Sequence, residues 1–250
     1  LGAQRRGVLR KALNEIAALV AVADVAEAGR RVARLLQWRS LGSHLTSPWR
    51  VVLVGQPNVG KSSLINAMVG FERSIVHPTP GTTRDLVAAA TAIDGWPVEL
   101  CDTAGLRPGT ESLESAVVDR ARASLADANL VVLGHDASRP WSAEAADLVE
   151  HWPDALVVCN KCDLLTSGPG GIKPSAAIST SATQRTGIED LCRQIARRLV
   201  PREPEPSEAV PFLPEHFEIL DQLRDFLAKG QPDAARGLLA DGGFWPETER

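Results

Sequence analysis

Between Gln4 and Val20 the apolar residues Leu9, Leu13, Ile16 and Val20 recur every three or four positions among arginines and a lysine, a spacing that predicts an amphipathic helix. Asp24-Val-Ala-Glu27 reads as a capping box that opens a second helix, with Val25, Val32, Leu35 and Leu36 as its buried stripe. Neither helix can bury its stripe alone. At Val51 the pattern changes to a continuous apolar run, Val51-Val-Leu-Val54, which fits a strand covered on both sides. A helix over Lys61–Val69 follows. Two strands, Leu86–Ile93 and Val98–Cys101, then meet at Asp94-Gly95, a favoured hairpin turn. Beyond them the pattern predicts a helix over Leu113–Ala126, a strand over Leu130–Leu133, a helix over Ala143–Trp152, strands over Ala155–Val158 and Ala176–Ile178, and a closing helix over Gly187–Val200. Such alternation predicts an α/β domain: a mostly parallel sheet with helices on both faces.

Pro201-Arg-Glu-Pro-Glu-Pro-Ser-Glu-Ala-Val-Pro211 is too rich in proline to continue a helix and reads as an extended acidic linker. Phe217, Leu220, Leu223 and Leu227 mark a further amphipathic helix that stops near Gly230, and a shorter one runs from Pro232 to Gly242. Three segments are therefore expected: an N-terminal helical arm over 1–48, ending in a linker from Gly42 to Pro48; the α/β domain over 49–200; and the acidic linker with a C-terminal helical arm over 201–250. The unpaired stripes of the two arms make each the obvious partner of the other.

The 250 residues carry a net charge of −4, and the 44% hydrophobic and 23% charged composition argues against wholesale disorder. The charge is uneven: residues 1–50 hold nine Lys/Arg against three Asp/Glu, and residues 201–250 hold five against eleven. A basic arm that meets nucleic acid is one reading. Two helical arms that pair or stay solvated is the favoured one, because the basic residues lack interleaved aromatics. The four cysteines have no secretory spacing, and no apolar run is long enough to cross a bilayer, so a cytoplasmic protein without membrane partners is expected. Cys159-Asn-Lys-Cys162 has redox or zinc spacing but lacks further ligands. The chain opens on Leu1 and its only methionine is Met68, so it is not expected to be a whole reading frame.

The chemistry concentrates in Gly55-Gln-Pro-Asn-Val-Gly60-Lys-Ser-Ser63, a G-x-x-x-x-G-K-S stretch placed after a strand and before a helix. Gly55 and Gly60 permit backbone conformations in which successive N–H groups turn onto an anion, and the positive end of the next helix adds to the field. Lys61 can reach terminal phosphates, and the Ser62 hydroxyl can hold Mg²⁺ between their oxygens. A plain glycine-bearing turn is the simpler alternative, but one that meets an eight-position pattern in this context by accident is rare. His77-Pro-Thr-Pro-Gly81-Thr-Thr83-Arg-Asp85 reads as a polar loop. Asp102-Thr-Ala-Gly105 ends a strand, where a carboxylate can orient Mg²⁺ through water and the Gly105 amide can approach a γ-phosphate. Asn160-Lys-Cys-Asp163 ends another. Asp163 can accept from both N1–H and the exocyclic amine of guanine, a pattern adenine does not offer, while the Lys161 stem covers the base. The Ser179–Ala182 loop can present backbone amides, those of Ser181 and Ala182, to the guanine O6. These features favour a GTP-hydrolysing switch over a guanine-nucleotide-binding scaffold with little turnover, and Asn160 and Asp163 disfavour a P-loop ATPase or kinase.

The ordered set G-Q-P-N-V-G-K-S, P-G-T-T-R-D, D-T-A-G-L-R and N-K-C-D resembles the translation-factor-related GTPases that act on RNA. Within them it is most similar to the tRNA-modification GTPases of the TrmE/MnmE type, in which a GTP-binding domain interrupts a helical domain. The neighbouring Era and Der families share P-G-T-T-R-D, but this chain shows neither a KH domain nor a second phosphate loop. The resemblance implies a P-loop G domain that takes GTP or GDP with Mg²⁺ at Ser62, Thr83 and Asp102. It implies nucleotide contacts from Gly55, Asn58, Val59, Gly60, Lys61, Ser62, Ser63, Thr82, Asp102, Asn160, Lys161, Asp163, Ser181 and Ala182. Leu106 stands where Ras-like enzymes carry a water-orienting glutamine, and in the family a K⁺ ion held by the residue matching Asn58 supplies charge there; the alternative is that Asn58 only shapes the loop. Glu114 matches the family's water-orienting glutamate and joins Lys61, Thr83 and Gly105 in the catalytic set, although Glu111 and Glu114 also suit a helix first turn. The implied partners are tRNA, a tRNA-modification protein and a second G domain in a nucleotide-dependent dimer. The family's folate-binding domain and cysteine-containing tail have no counterpart in these residues, which end in Phe244-Trp-Pro-Glu-Thr-Glu-Arg250.

Overall fold

A computed structural model describes residues 2–71 (side chains from residue 7), 88–102, 126–165 and 176–240, which fall into two compact units. One is continuous, Pro48–Pro201. The other combines Leu1–Ser47 with Arg202–Arg250.

Among the described residues of the continuous unit six strands lie in the order β2-β3-β1-β4-β5-β6. They are β1 (Trp49–Gly55), β2 (Ala88–Ile93), β3 (Trp96–Asp102), β4 (Leu130–Asp136), β5 (Leu156–Asn160) and β6 (Ile178–Ser179). Every neighbouring pair is parallel except β2 and β3, which form the expected hairpin with Asp94 and Gly95 at positive φ. In β1 the successive residues Val51, Val52 and Leu53 are all buried, as a strand covered on both faces requires. Register then sets the site. Leu53 pairs with Asp102, Gly55 with Gly134, and Asp136 with Asn160, so the carboxyl ends of β1, β3, β4 and β5 share one edge. That edge of an open parallel sheet is where ligands bind.

Helices α4 (Lys61–Phe71), α5 (Ala143–His151) and α6 (Ile188–Leu199) cover this sheet, with α4 and α6 packed on each other. Ser142 caps α5 by accepting from the Ala145 amide at 3.2 Å. The predicted Leu113–Ala126 helix lies outside the described residues apart from its last position.

The second unit holds α1 (Gly2–Ala21), α2 (Val25–Leu36), the short α3 (Arg39–Ser43), α7 (Pro214–Ala228) and α8 (Pro232–Ala240). Leu9, Leu13, Ile16 and Val20 of α1 and Val32 and Leu35 of α2 form one buried cluster with Leu220, Leu223 and Leu227 of α7 and Ala235 of α8. The two chain ends thus supply each other's missing apolar face. Arg39 adds an ion pair to Asp221 at 2.6 Å and lies over the Phe217 ring.

Three details differ from expectation. Asp24 caps α2 through the Glu27 amide, but the Glu27 carboxylate turns to Arg30 and Arg31 at 2.8 and 3.1 Å; charged partners one turn on outcompete the reciprocal bond of a capping box. Gly42 belongs to α3 rather than opening a linker; it is a glycine there because a Cβ would stand 1.9 Å from the Pro211 carbonyl oxygen. The acidic stretch is docked rather than extended: Val210 is fully buried, and Arg202 bonds Glu208 at 2.9 Å while stacking on Trp38.

Candidate functional site

The phosphate loop leaves β1 at Gly55, whose φ of +151° and whose distance of 2.3 Å between an added Cβ and the Gly134 carbonyl oxygen admit no side chain. Asn58 is left-handed, with φ +64°, and Gly60 has φ +90°. The loop is therefore wound by three positive-φ residues, the conformation that turns amides inward. Val59 is buried beneath it. Lys61 opens α4 with its side chain folded over the loop, donating to the carbonyls of Gly55 at 2.8 Å and Gln56 at 3.1 Å. Only 6% of Lys61 is exposed, so its charge is held inside the loop rather than in solvent.

The two residues expected at the metal touch. Ser62 Oγ donates to Asp102 Oδ2, joining α4 to the end of β3, and Asp102 is 2% exposed. A hydroxyl and a carboxylate beside a phosphate loop form a hard oxygen donor set of the kind Mg²⁺ takes together with phosphate oxygens and water. Ser63 is exposed on the next position of α4. Thr82, Thr83, Gly105, Glu111 and Glu114 lie outside the described residues.

At the other end of the site, Asn160 closes β5 and is 2% exposed. Its Nδ2 donates to the Val59 carbonyl at 2.9 Å, and its Oδ1 accepts from Thr180 Oγ1 at 3.3 Å and from the Ala182 amide at 3.1 Å. Asn160 therefore ties the phosphate loop to the loop after β6, with both its side-chain oxygen and its side-chain nitrogen bonded within the protein. The Ser181 amide likewise donates to the Thr186 carbonyl at 2.9 Å, while Ser181 Oγ accepts from the Gln184 amide at 3.1 Å. The amides of Ser181 and Ala182 are thus both engaged with protein acceptors, bonds that help fix the loop's course.

Lys161 is left-handed, with φ +64°, which turns the chain into a one-turn 3₁₀ helix, Cys162–Leu164, carrying the exposed Asp163. Lys161 Nζ reaches Asp136 Oδ2 at 2.7 Å. The other oxygen of Asp136 accepts from the Ser138 amide at 3.0 Å and from its hydroxyl at 2.6 Å. Burial alone would raise the Asp136 carboxyl; the bonds from Lys161 and Ser138 outweigh it and hold the carboxyl below its ordinary range. Asp136 is the residue that the sequence reading missed. The available signal was topological: a strand flanked by β1 and β5 must end against both of their loops.

A mostly parallel sheet with a lysine-bearing phosphate loop at the carboxyl end of β1 and an Asn-Lys-Cys-Asp turn at that of β5 defines a P-loop domain of the guanine-nucleotide-binding GTPase class. The family model described as 50S ribosome-binding GTPase matches residues 50–161. Over 218 residues the chain is 38% identical to the tRNA modification GTPase MnmE of Chloroflexus aurantiacus, covering 84% of this chain and 48% of that protein. It is 42% identical over 163 residues to the MnmE of Xanthomonas oryzae pv. oryzae, covering 64% and 36%, and 39% identical over 177 residues to that of Synechococcus elongatus, covering 68% and 38%. These matches support an MnmE (TrmE)-type GTPase assignment, and the chain spans about half the length of these relatives or less. Among solved structures it is similar to Era of Aquifex aeolicus bound to GDP·AlF4⁻, with 26% identity, a TM-score of 0.48, and 70% of this chain and 65% of that one covered.

Proposed function

We propose that this chain is a Mg²⁺-dependent, GTP-hydrolysing switch that serves tRNA modification in the cytoplasm. The observation that carries the reading is the Asn160 side chain, which locks the phosphate loop and the base-reading turns into one unit through Val59 and Ala182. A nucleotide spanning these loops meets Lys61 at its phosphates and Asp163 at its base edge. Ser62 and Asp102, already in contact, fit Mg²⁺; bound there, the ion supplies charge for the phosphate oxygens. Thr83 and the Gly105 amide are assigned to the γ-phosphate side of the site, Glu114 to orienting the attacking water, and Asn58 to a K⁺ ion in place of a catalytic glutamine. The names of the relatives, tRNA modification GTPases, support a coupling of the switch to tRNA; the partner protein and the G-domain dimer are assigned from the motif resemblance alone.

The test is phosphate release from GTP and ATP with Mg²⁺ and with excess chelator. Turnover of GTP alone, abolished by chelator and in Ser62→Ala, is expected. Guanine-nucleotide binding without turnover would assign the chain to a scaffold, and equal turnover of ATP would overturn the base assignment. No helix among the described residues is long and apolar enough to cross a membrane.

A further inference from the structure

Asp136 takes no part in the phosphate or metal chemistry above, yet it is a carboxylate buried to 5% exposure at the binding edge of the sheet, bonded on one oxygen by its own loop at Ser138 and on the other by the turn after β5 at Lys161. It stands in register with Asn160, and the Ala137 amide donates to the Asn160 carbonyl at 2.7 Å, so its Cα is fixed against the base-reading turn by backbone alone. Ser138 holds one carboxylate oxygen, and the other receives Lys161 Nζ at 2.7 Å, with Arg139 more remote at 3.9 Å. The Lys161 stem passes beside the phosphate loop, where its Cε lies 4.0 Å from the point a Cβ on Gly60 would occupy. Both ends of this lysine are thereby constrained: its backbone by a left-handed turn that an L residue rarely adopts, its ammonium by a buried carboxylate that Ser138 bonds twice.

From this geometry we infer that Asp136 is a positioning residue for nucleotide binding, holding the extended Lys161 stem as a preset wall for the base. The inference rests on the guanine-nucleotide reading of the site and adds to it a residue outside the phosphate-loop and Asn-Lys-Cys-Asp stretches. A lysine has many rotamers, and a stem ordered before the ligand arrives spares the ligand that ordering cost. Asp136 does not touch the base. Its effect must therefore pass entirely through Lys161, which is the property that separates it from a residue that merely stabilises β4.

The experiment is a double-mutant cycle read by titration with a fluorescent GDP analogue, using Asp136→Asn, Lys161→Met and the double variant, with thermal unfolding of the nucleotide-free proteins alongside. Asp136→Asn keeps the shape and an acceptor but removes the charge, and Lys161→Met breaks the same contact from the more exposed partner. Each single variant is expected to weaken GDP binding by about ten-fold, the size of a lost charge-assisted bond at a partly exposed site. The double variant is expected to bind no worse than Lys161→Met. Affinities that multiply in the double variant, or wild-type affinity in Asp136→Asn, would overturn the inference. Loss of unfolding midpoint in Asp136→Asn with unchanged GDP affinity would make Asp136 structural only. Wild-type protein that binds no GDP would instead remove the nucleotide reading itself, and the inference with it.

Discussion

Replacing Asn160 by alanine tests whether this side chain is a tie between loops or a contact for the nucleotide. The structure gives it three bonds at 2.9, 3.1 and 3.3 Å, all to protein atoms. Alanine leaves the Val59 carbonyl, the Ala182 amide and the buried Thr180 hydroxyl without this partner at a site where Asn160 itself is 2% exposed. An unsatisfied buried group costs about 1–3 kcal/mol; the Thr180 bond is the longest of the three and solvent reaches the half-buried Ala182, so the total comes to about 2–3 kcal/mol. For a unit of some 150 residues such a loss lowers the unfolding midpoint by about 4–12 °C. Because the bonds are made within the protein, the loss must appear before any nucleotide is added. GDP affinity falls as well, since the separated loops must be reassembled by the ligand, by no more than the same energy, about 30- to 150-fold. Thermal unfolding without nucleotide and equilibrium titration with GDP measure the two effects. An unchanged nucleotide-free midpoint together with lost GDP binding would refute the tie and make Asn160 a direct ligand contact.

Leu220→Ala, in the buried cluster shared by α1, α2, α7 and α8, should cost about 2–5 kcal/mol, read as a lowered midpoint in the unfolding transition that GDP does not shift. GTP turnover should be faster in K⁺ than in Na⁺, and Asn58→Ala should erase the difference; equal rates in the wild-type protein would return Asn58 to shaping the loop. Glu114→Ala should bind GTP normally and hydrolyse it about 10²–10⁴ times more slowly, Glu111→Ala should change neither, and specific activity in K⁺ should rise with protein concentration. Wild-type turnover in Glu114→Ala would return that residue to a helix first turn, and a flat concentration dependence would remove the dimer.

The phosphate loop and the apolar runs were legible because each is a local pattern: Gly55, Gly60 and Lys61 announce their conformations by residue type, and Val51–Leu53 by unbroken burial. The pairing of the two chain ends was legible as a deficit, stripes at Leu9 to Val20 and Phe217 to Leu227 that had nothing else to cover them. What local pattern could not convey was set by neighbours. β4 runs on past Leu133 through Gly134, His135 and Asp136 because β1 pairs with Gly134 and β5 with Asp136, and polar residues there read as a strand end. The same contacts hid Asp136, whose partner is 25 residues away, and Gly42, whose glycine answers to Pro211 on the far side of the chain. Asn160 and the Ser181–Ala182 amides were legible as candidates for the site, but their partners within the protein were not, because a hydrogen bond inside the protein and one to a base demand the same residue types.

The most direct measurement of the central claim is the base preference of Asp163→Asn, compared with wild type by titration with guanosine and xanthosine triphosphates. Asp163 stands exposed on the turn that Lys161 sets, where a carboxylate can take both donors of a guanine edge. Asparagine keeps one acceptor but sets an amide donor against the second guanine donor, so GTP binding should weaken by about thirty- to several-hundred-fold, while xanthosine triphosphate, with a carbonyl to accept from that amide, should gain. Unchanged GTP affinity in Asp163→Asn, with no gain for the xanthosine nucleotide, would contradict the assignment of this chain's site to guanine.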